Sequence, residues 1–225
     1  MSGNLPLALG TLLLVTACAA PRVPLKPEAR AEIAPLDSVL ILPRGTHTAP
    51  AACPGLFSPA PTRPTPAAPA GTTPTTPAAA PAGNDTLAVL QQAWRSETAG
   101  SEIRFSRRLR VEDLTPDEPA GRERMRLLFD NASGAAVLFA RIGYTLCEQT
   151  LRVTAQVEIY PRAPALLRFR HSPDVSDPLA EGSVIFRQQF AEERPGVSDA
   201  AAGRALDEAL HGIVRKIVAG LNARP

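Results

Sequence analysis

Residues 135–160 read AAVLFARIGYTLCEQTLRVTAQVEIY, and the fold class follows from them. The first twelve positions are apolar on both faces over most of their length, the pattern of a central strand covered from both sides. Leu151, Val153, Ala155, Val157 and Ile159 then alternate strictly with Arg152, Thr154, Gln156, Glu158 and Tyr160, which is the period of a strand with one buried face. Between the two runs stands only Cys147-Glu148-Gln149-Thr150. Two strand patterns joined by so short a polar link predict a β-hairpin.

Upstream, Leu36-Asp37-Ser38-Val39-Leu40-Ile41-Leu42-Pro43 is a short run of β-formers stopped by proline, read as a buried strand. Asn84 or Asp85 can cap a helix carrying Leu87, Leu90 and Trp94 on one face, ended by Gly100. Ile103, Phe105, Leu109 and Val111 alternate with Arg104, Ser106, Arg108 and Arg110, with Arg107 out of phase. A helix around 120–131 turns Met125, Leu128 and Phe129 inward and stops near Ser133-Gly134. Downstream, weaker strands are expected at 165–170 and 183–190. Ser198 should cap a final helix with the stripe Leu206, Leu210, Ile213, Val214, Ile217 and Leu221. This order predicts an α+β fold, a mixed, largely antiparallel sheet with helices packed on one face.

Not all of the 225 residues belong to that core. The chain holds 24 prolines, about twice the usual share. Ten of them fall between Pro50 and Pro81, where Arg63 is the sole charge. Such a segment lacks the apolar periodicity that would offset its ordering entropy, so residues 49–83 are expected to form a disordered Pro-, Ala- and Thr-rich insertion. The expected organisation is a signal peptide over 1–17 and an extended tether over 18–35. The first strand then lies in 36–48, and the fold resumes over 84–225.

A net charge of +2 leaves no dense cationic surface, and nucleic-acid binding is not expected. Arginine outnumbers lysine 22 to 2 along the whole chain, a bias that selects no site.

The apolar stretch from Leu5 to Ala17 is too short to cross a bilayer and has the length of a secretory core. It ends in Leu14-Val15-Thr16-Ala17-Cys18, which resembles the lipobox of bacterial lipoproteins. That resemblance implies acylation of Cys18 after removal of the preceding peptide. Ala19, which is not the aspartate that retains such proteins at the inner membrane, implies the periplasmic face of the outer membrane. The element order over residues 36–221, with its opening Ser38-Val39-Leu40-Ile41-Leu42-Pro43 and its Ala-rich closing helix, is similar to the periplasmic domain of curli-secretion channel and penicillin-binding-protein activator lipoproteins. Both resemblances imply a lipid-anchored accessory or assembly factor with an envelope protein partner. A periplasmic ligand- or glycan-binding module and an oligomeric secretion-channel component are the alternatives.

Acylation of Cys18 leaves Cys53 and Cys147 as an even pair in an oxidising compartment. Each follows the carboxyl end of an expected strand. If those strands are parallel, the two cysteines share one end of the sheet and can form a disulfide, worth up to about 4.5 kcal/mol for so long a loop. The other possibility is two free thiols. His47, His171 and His211 have no close sequence companions, and no metal-ligand, nucleophile-elbow or phosphate-loop motif is present. Asp113, Asp117 and Glu118 sit in a turn with Pro116 and Pro119, suited to capping. No catalytic residue, metal or cofactor is expected. Arg104, Arg108 and Arg110, expected on the outer face of their strand, are the candidates for meeting an anionic partner.

Overall fold

The computed structural model describes residues 21–43, 83–147 and 149–223. Cys18, Cys53, His47 and the Pro-rich stretch up to residue 82 lie outside the described residues, so the expectations placed on them are not addressed by the fold.

Five strands form one mixed sheet in the order β2-β1-β3-β4-β5: β1 (Leu36–Leu42), β2 (Phe105–Asp113), β3 (Ala136–Cys147), β4 (Thr150–Pro161) and β5 (Phe186–Arg194). β1 runs parallel to both β2 and β3, whereas β3–β4 and β4–β5 are antiparallel. The predicted hairpin is the longest ladder, in register from Ala136↔Pro161 to Cys147↔Thr150. Its tight link puts Gln149 at φ +62°, the left-handed conformation such a turn requires.

The period-two pattern sorts the strands between two cores. On the first face, Leu36, Leu40, Leu138, Ile142, Val153 and Val157 meet two long helices, α2 (Gly83–Thr98) and α4 (Ala202–Asn222). Every residue of the expected α4 stripe is buried. At roughly 1.5–3 kcal/mol for each large aliphatic side chain, that stripe alone ties the helix to the sheet. Leu90 and Trp94 of α2 are equally buried, and Trp94 packs edge-on against Phe105 with ring centroids 5.6 Å apart.

The expectation of helices on one face holds for α2 and α4 but not for α3 (Pro119–Asp130). Met125, Leu128 and Phe129 of α3 cover Val39, Ile41, Val137 and Phe139 on the opposite face. The reason is legible in β1 and β3, whose central residues are apolar at both parities and need cover from both sides. Gly121 lets α3 sit close: a Cβ there would lie 1.8 Å from the Thr115 carbonyl oxygen.

Three further expectations are corrected. Residues 165–170 form a 3₁₀ helix (Pro164–Phe169) rather than a strand, and the strand expected at 183–190 is β5 shifted to Phe186–Arg194. The tether expected over 18–35 is, from residue 21 onward, part of the fold. Val23 exchanges two backbone hydrogen bonds with Arg187 on the outer edge of β5, at 2.9 and 2.8 Å. The helix α1 (Pro27–Glu32) follows, and Leu25, Ala29 and Ile33 are buried in the first core. Those three residues are spaced i, i+4, i+8, one stripe of a helix, and Pro27 starts it at a position where its missing N–H costs nothing.

Candidate functional site

The half of the second face that α3 leaves uncovered carries a charged network. Arg187 on β5 lies directly opposite Glu158 on β4, and both are buried, at 4% and 3% exposure. The Arg187 Nε donates to Glu158 Oε1 at 2.8 Å, and its Nη1 donates to Glu181 Oε1 at 3.0 Å. Glu158 also accepts from Tyr160 Oη at 2.9 Å and from Gln156 Nε2 at 3.2 Å. Arg141 of β3 stands 3.9 Å from Glu158 and 3.8 Å from Asp117 at the edge of the network.

Burial alone would disfavour the charge on Arg187, but Glu158 and Glu181 outweigh it and hold the guanidinium firmly protonated. Burial, reinforced by the neighbouring Glu158 charge, pushes the Tyr160 phenol well above its usual range. This hydroxyl is a fixed donor rather than an acid or base. The arrangement is a closed set of charge-assisted bonds that pins the loop bearing Glu181 to the sheet.

A second buried carboxylate, Asp37, sits on the same face between β1 and the turn after α3. Its Oδ2 accepts from the backbone N–H of Ser133 at 2.7 Å and of Gly134 at 3.1 Å. Burial raises its pKa, but the nearby Ser106 hydroxyl, these two amides and the Arg108 charge together bring it below the usual carboxylate range. Asp37 thereby locks the α3–β3 turn to β1. Gly134 is required there, since a Cβ would come within 2.5 Å of the Pro35 carbonyl oxygen.

The arginine candidates lie beside this carboxylate. β2 bulges between its pairings Leu36↔Phe105 and Ser38↔Leu109, which accounts for the out-of-phase Arg107. Arg104 precedes the strand. Arg108 and Arg110 line a narrow crevice with Asp37, Leu128 and Asn131. The three residues therefore do not form one flat face. Arg104, Arg107 and Arg108 are exposed along the outer edge of the sheet, and Arg110 is half-buried. On α3, Arg124 is taken by a two-pronged bond to Glu112, and Arg122 donates to the Asp117 carbonyl.

Cys147 closes β3 and is half-buried. Because β1 and β3 are parallel, the carboxyl end of β1, from which the chain proceeds toward Cys53, lies at the same end of the sheet as Cys147. His171 is exposed, and its amide bonds the Val184 carbonyl. His211 lies half-buried on α4 in a shallow recess with Arg194, Glu208 and Arg215. Among the described residues no group of three or more His, Cys, Asp or Glu is placed to hold a metal ion, and no helix is long and apolar enough to cross a membrane.

Sequence reasoning missed Glu158, Arg187, Glu181 and Asp37. Glu158 has the parity of an outward residue on β4, and only the register with β5 reveals its partner. The usable signal was a carboxylate inside an otherwise apolar strand, as at Asp37.

No family model and no curated protein matches the chain. Among solved structures it is similar to the PelC dodecamer from Paraburkholderia phytofirmans, at 12% sequence identity and a TM-score of 0.35, over 84% of this chain and 88% of that one.

Proposed function

We propose that the chain is a lipoprotein, acylated at Cys18 and anchored on the periplasmic face of the outer membrane, whose α+β domain is a non-catalytic accessory or assembly factor of a cell-envelope complex. The observation that carries this reading is the run Leu14-Val15-Thr16-Ala17-Cys18 behind a short apolar stretch. The charged network adds support, because its groups are paired with one another rather than presented to a substrate. In this reading Cys53 and Cys147 form a disulfide that ties the start of the Pro-rich insertion to the sheet. The parallel pairing of β1 and β3 supports that pairing, as does the engagement of Cys147, which is not a free thiol.

The test is metabolic labelling with radioactive palmitate of cells producing the natural chain or Cys18→Ser, followed by in-cell crosslinking. Label on the natural chain alone, with one envelope protein captured in near-equal amounts, is expected. Equal labelling of both chains refutes the anchor. Label with capture of nothing but further copies of the chain leaves the anchor standing and removes the accessory role. Non-reducing peptide mapping checks the staple, and finding Cys53 alkylatable in the oxidised protein overturns it.

A further inference from the structure

We infer that the domain rests close against the bilayer on a leash of five residues, with its β5 edge turned to the lipid and its arginine-bearing β2 edge turned away. This inference rests on acylation of Cys18 as proposed above. A tether running to residue 35 in polyproline form would reach on the order of 50 Å. The fold removes about two thirds of that reach, because the chain is already bound to the sheet at Val23.

The binding is not a lone bridge. Leu25, Ala29 and Ile33 are buried in the first core, the Arg30 guanidinium donates to the Ala223 carbonyl at the end of α4, and Glu32 pairs with Arg168. Peeling this strap away to lengthen the leash would expose the buried side chains of Leu25 and Ile33 to water, which the hydrophobic effect opposes. The five residue-to-residue steps from Cys18 to Val23 span at most about 18 Å when fully extended.

Direction follows from the bridge. Val23 pairs antiparallel with Arg187, and Arg22 donates to the Gln188 side chain at 3.2 Å. Traced back toward Cys18, the chain therefore leaves along the outer edge of β5 in the sense of Arg194. From Arg187 to Arg194 the strand covers about 24 Å at 3.4 Å per residue. A leash of about 18 Å cannot clear the end of that strand. The sheet therefore cannot stand upright on the membrane by the Arg194 end of its strands, and the outgoing course of Arg22 past Gln188 along the β5 edge points to that edge as the one nearest the lipid. β2 is the opposite edge, four inter-strand spacings or about 19 Å farther away. Arg104, Arg107 and Arg108 are thus held toward the aqueous side, where a protein partner can reach them.

The experiment places a fluorescent unnatural amino acid at Gln189 on β5 or at Arg107 on β2 in the full, lipidated chain. The protein is reconstituted in vesicles of phosphatidylethanolamine and phosphatidylglycerol containing a lipid with a nitroxide on its headgroup. Both residues are exposed, so neither label disturbs the core. The expected result is several-fold stronger quenching at 189 than at 107, with the difference abolished by a twenty-residue Gly-Ser spacer inserted between Ala20 and Pro21. Equal quenching at the two positions on the natural leash, or stronger quenching at 107, overturns the inference while leaving the anchor intact. Flotation with the vesicles is read in the same samples, and a chain that fails to float overturns the anchor and the leash together.

Discussion

Replacing Arg187 with Met tests the charged network where it is most deeply buried. Glu158 and Arg187 face each other across β4 and β5 with about 3–4% of their surface exposed and a 2.8 Å bond between them. Removing one partner of such a pair typically costs 3–5 kcal/mol, because the other charge is left in a poor solvent. Here Glu158 keeps the Tyr160 hydroxyl, the Gln156 amide and Arg141 at 3.9 Å, which places the loss near the lower end, at about 3 kcal/mol. The Glu181 side chain is largely exposed, and its lost ion pair adds little. Urea unfolding read by the fluorescence of Trp94, the single and fully buried tryptophan, should show the midpoint lowered by about 1–2 M. Removing both charges together, as Glu158→Leu with Arg187→Met, should recover most of the loss, leaving about 1 kcal/mol for the orphaned Tyr160 hydroxyl. A loss below about 1 kcal/mol in Arg187→Met, or a double variant as unstable as the sum of the singles, would refute the reasoning.

Three other substitutions probe separate parts of the fold. Ile33→Ala should cost about 2–5 kcal/mol in the same urea assay, whereas a residue in a free tether would cost nothing. Asp37→Asn should be less stable than the natural chain at pH 7. The native carboxylate has a lowered pKa, so its contribution is complete above the unfolded value of about 3.9 and is lost as the pH falls through the folded value. Thermal unfolding of the two proteins should therefore converge in strong acid, and a gap that widens on acidification would contradict this. Gly121→Ala drives a methyl group into the Thr115 carbonyl, and a loss above about 3 kcal/mol or failure of α3 to pack is expected by circular dichroism and proteolysis.

The parts of the fold legible beforehand were those whose signal is local. The β3–β4 hairpin, the α4 stripe and the inward residues Met125, Leu128 and Phe129 each repeat at the period of their element, and all are found where that period puts them. The α1 stripe of Leu25, Ala29 and Ile33 carried the same signal but stood among prolines, and composition outweighed periodicity. The 3₁₀ turn at Pro164–Phe169 is too short to carry a period that separates it from a strand. For the arginine candidates, the strand was legible while the bulge was not, because the two extra residues on β2 are defined only by its pairing with β1.

By itself the sequence determined the fold class, the hairpin and the helix faces. These depend on residues within one or two turns of one another, whose side-chain period is set by backbone geometry. Only the tertiary structure decided which strands are parallel and which side of the sheet α3 covers. It also decided that Glu158 meets Arg187 and that the chain is already pinned at Val23. Each is a pairing between residues far apart in the chain. Its energy comes from burying or satisfying groups that no local pattern brings together.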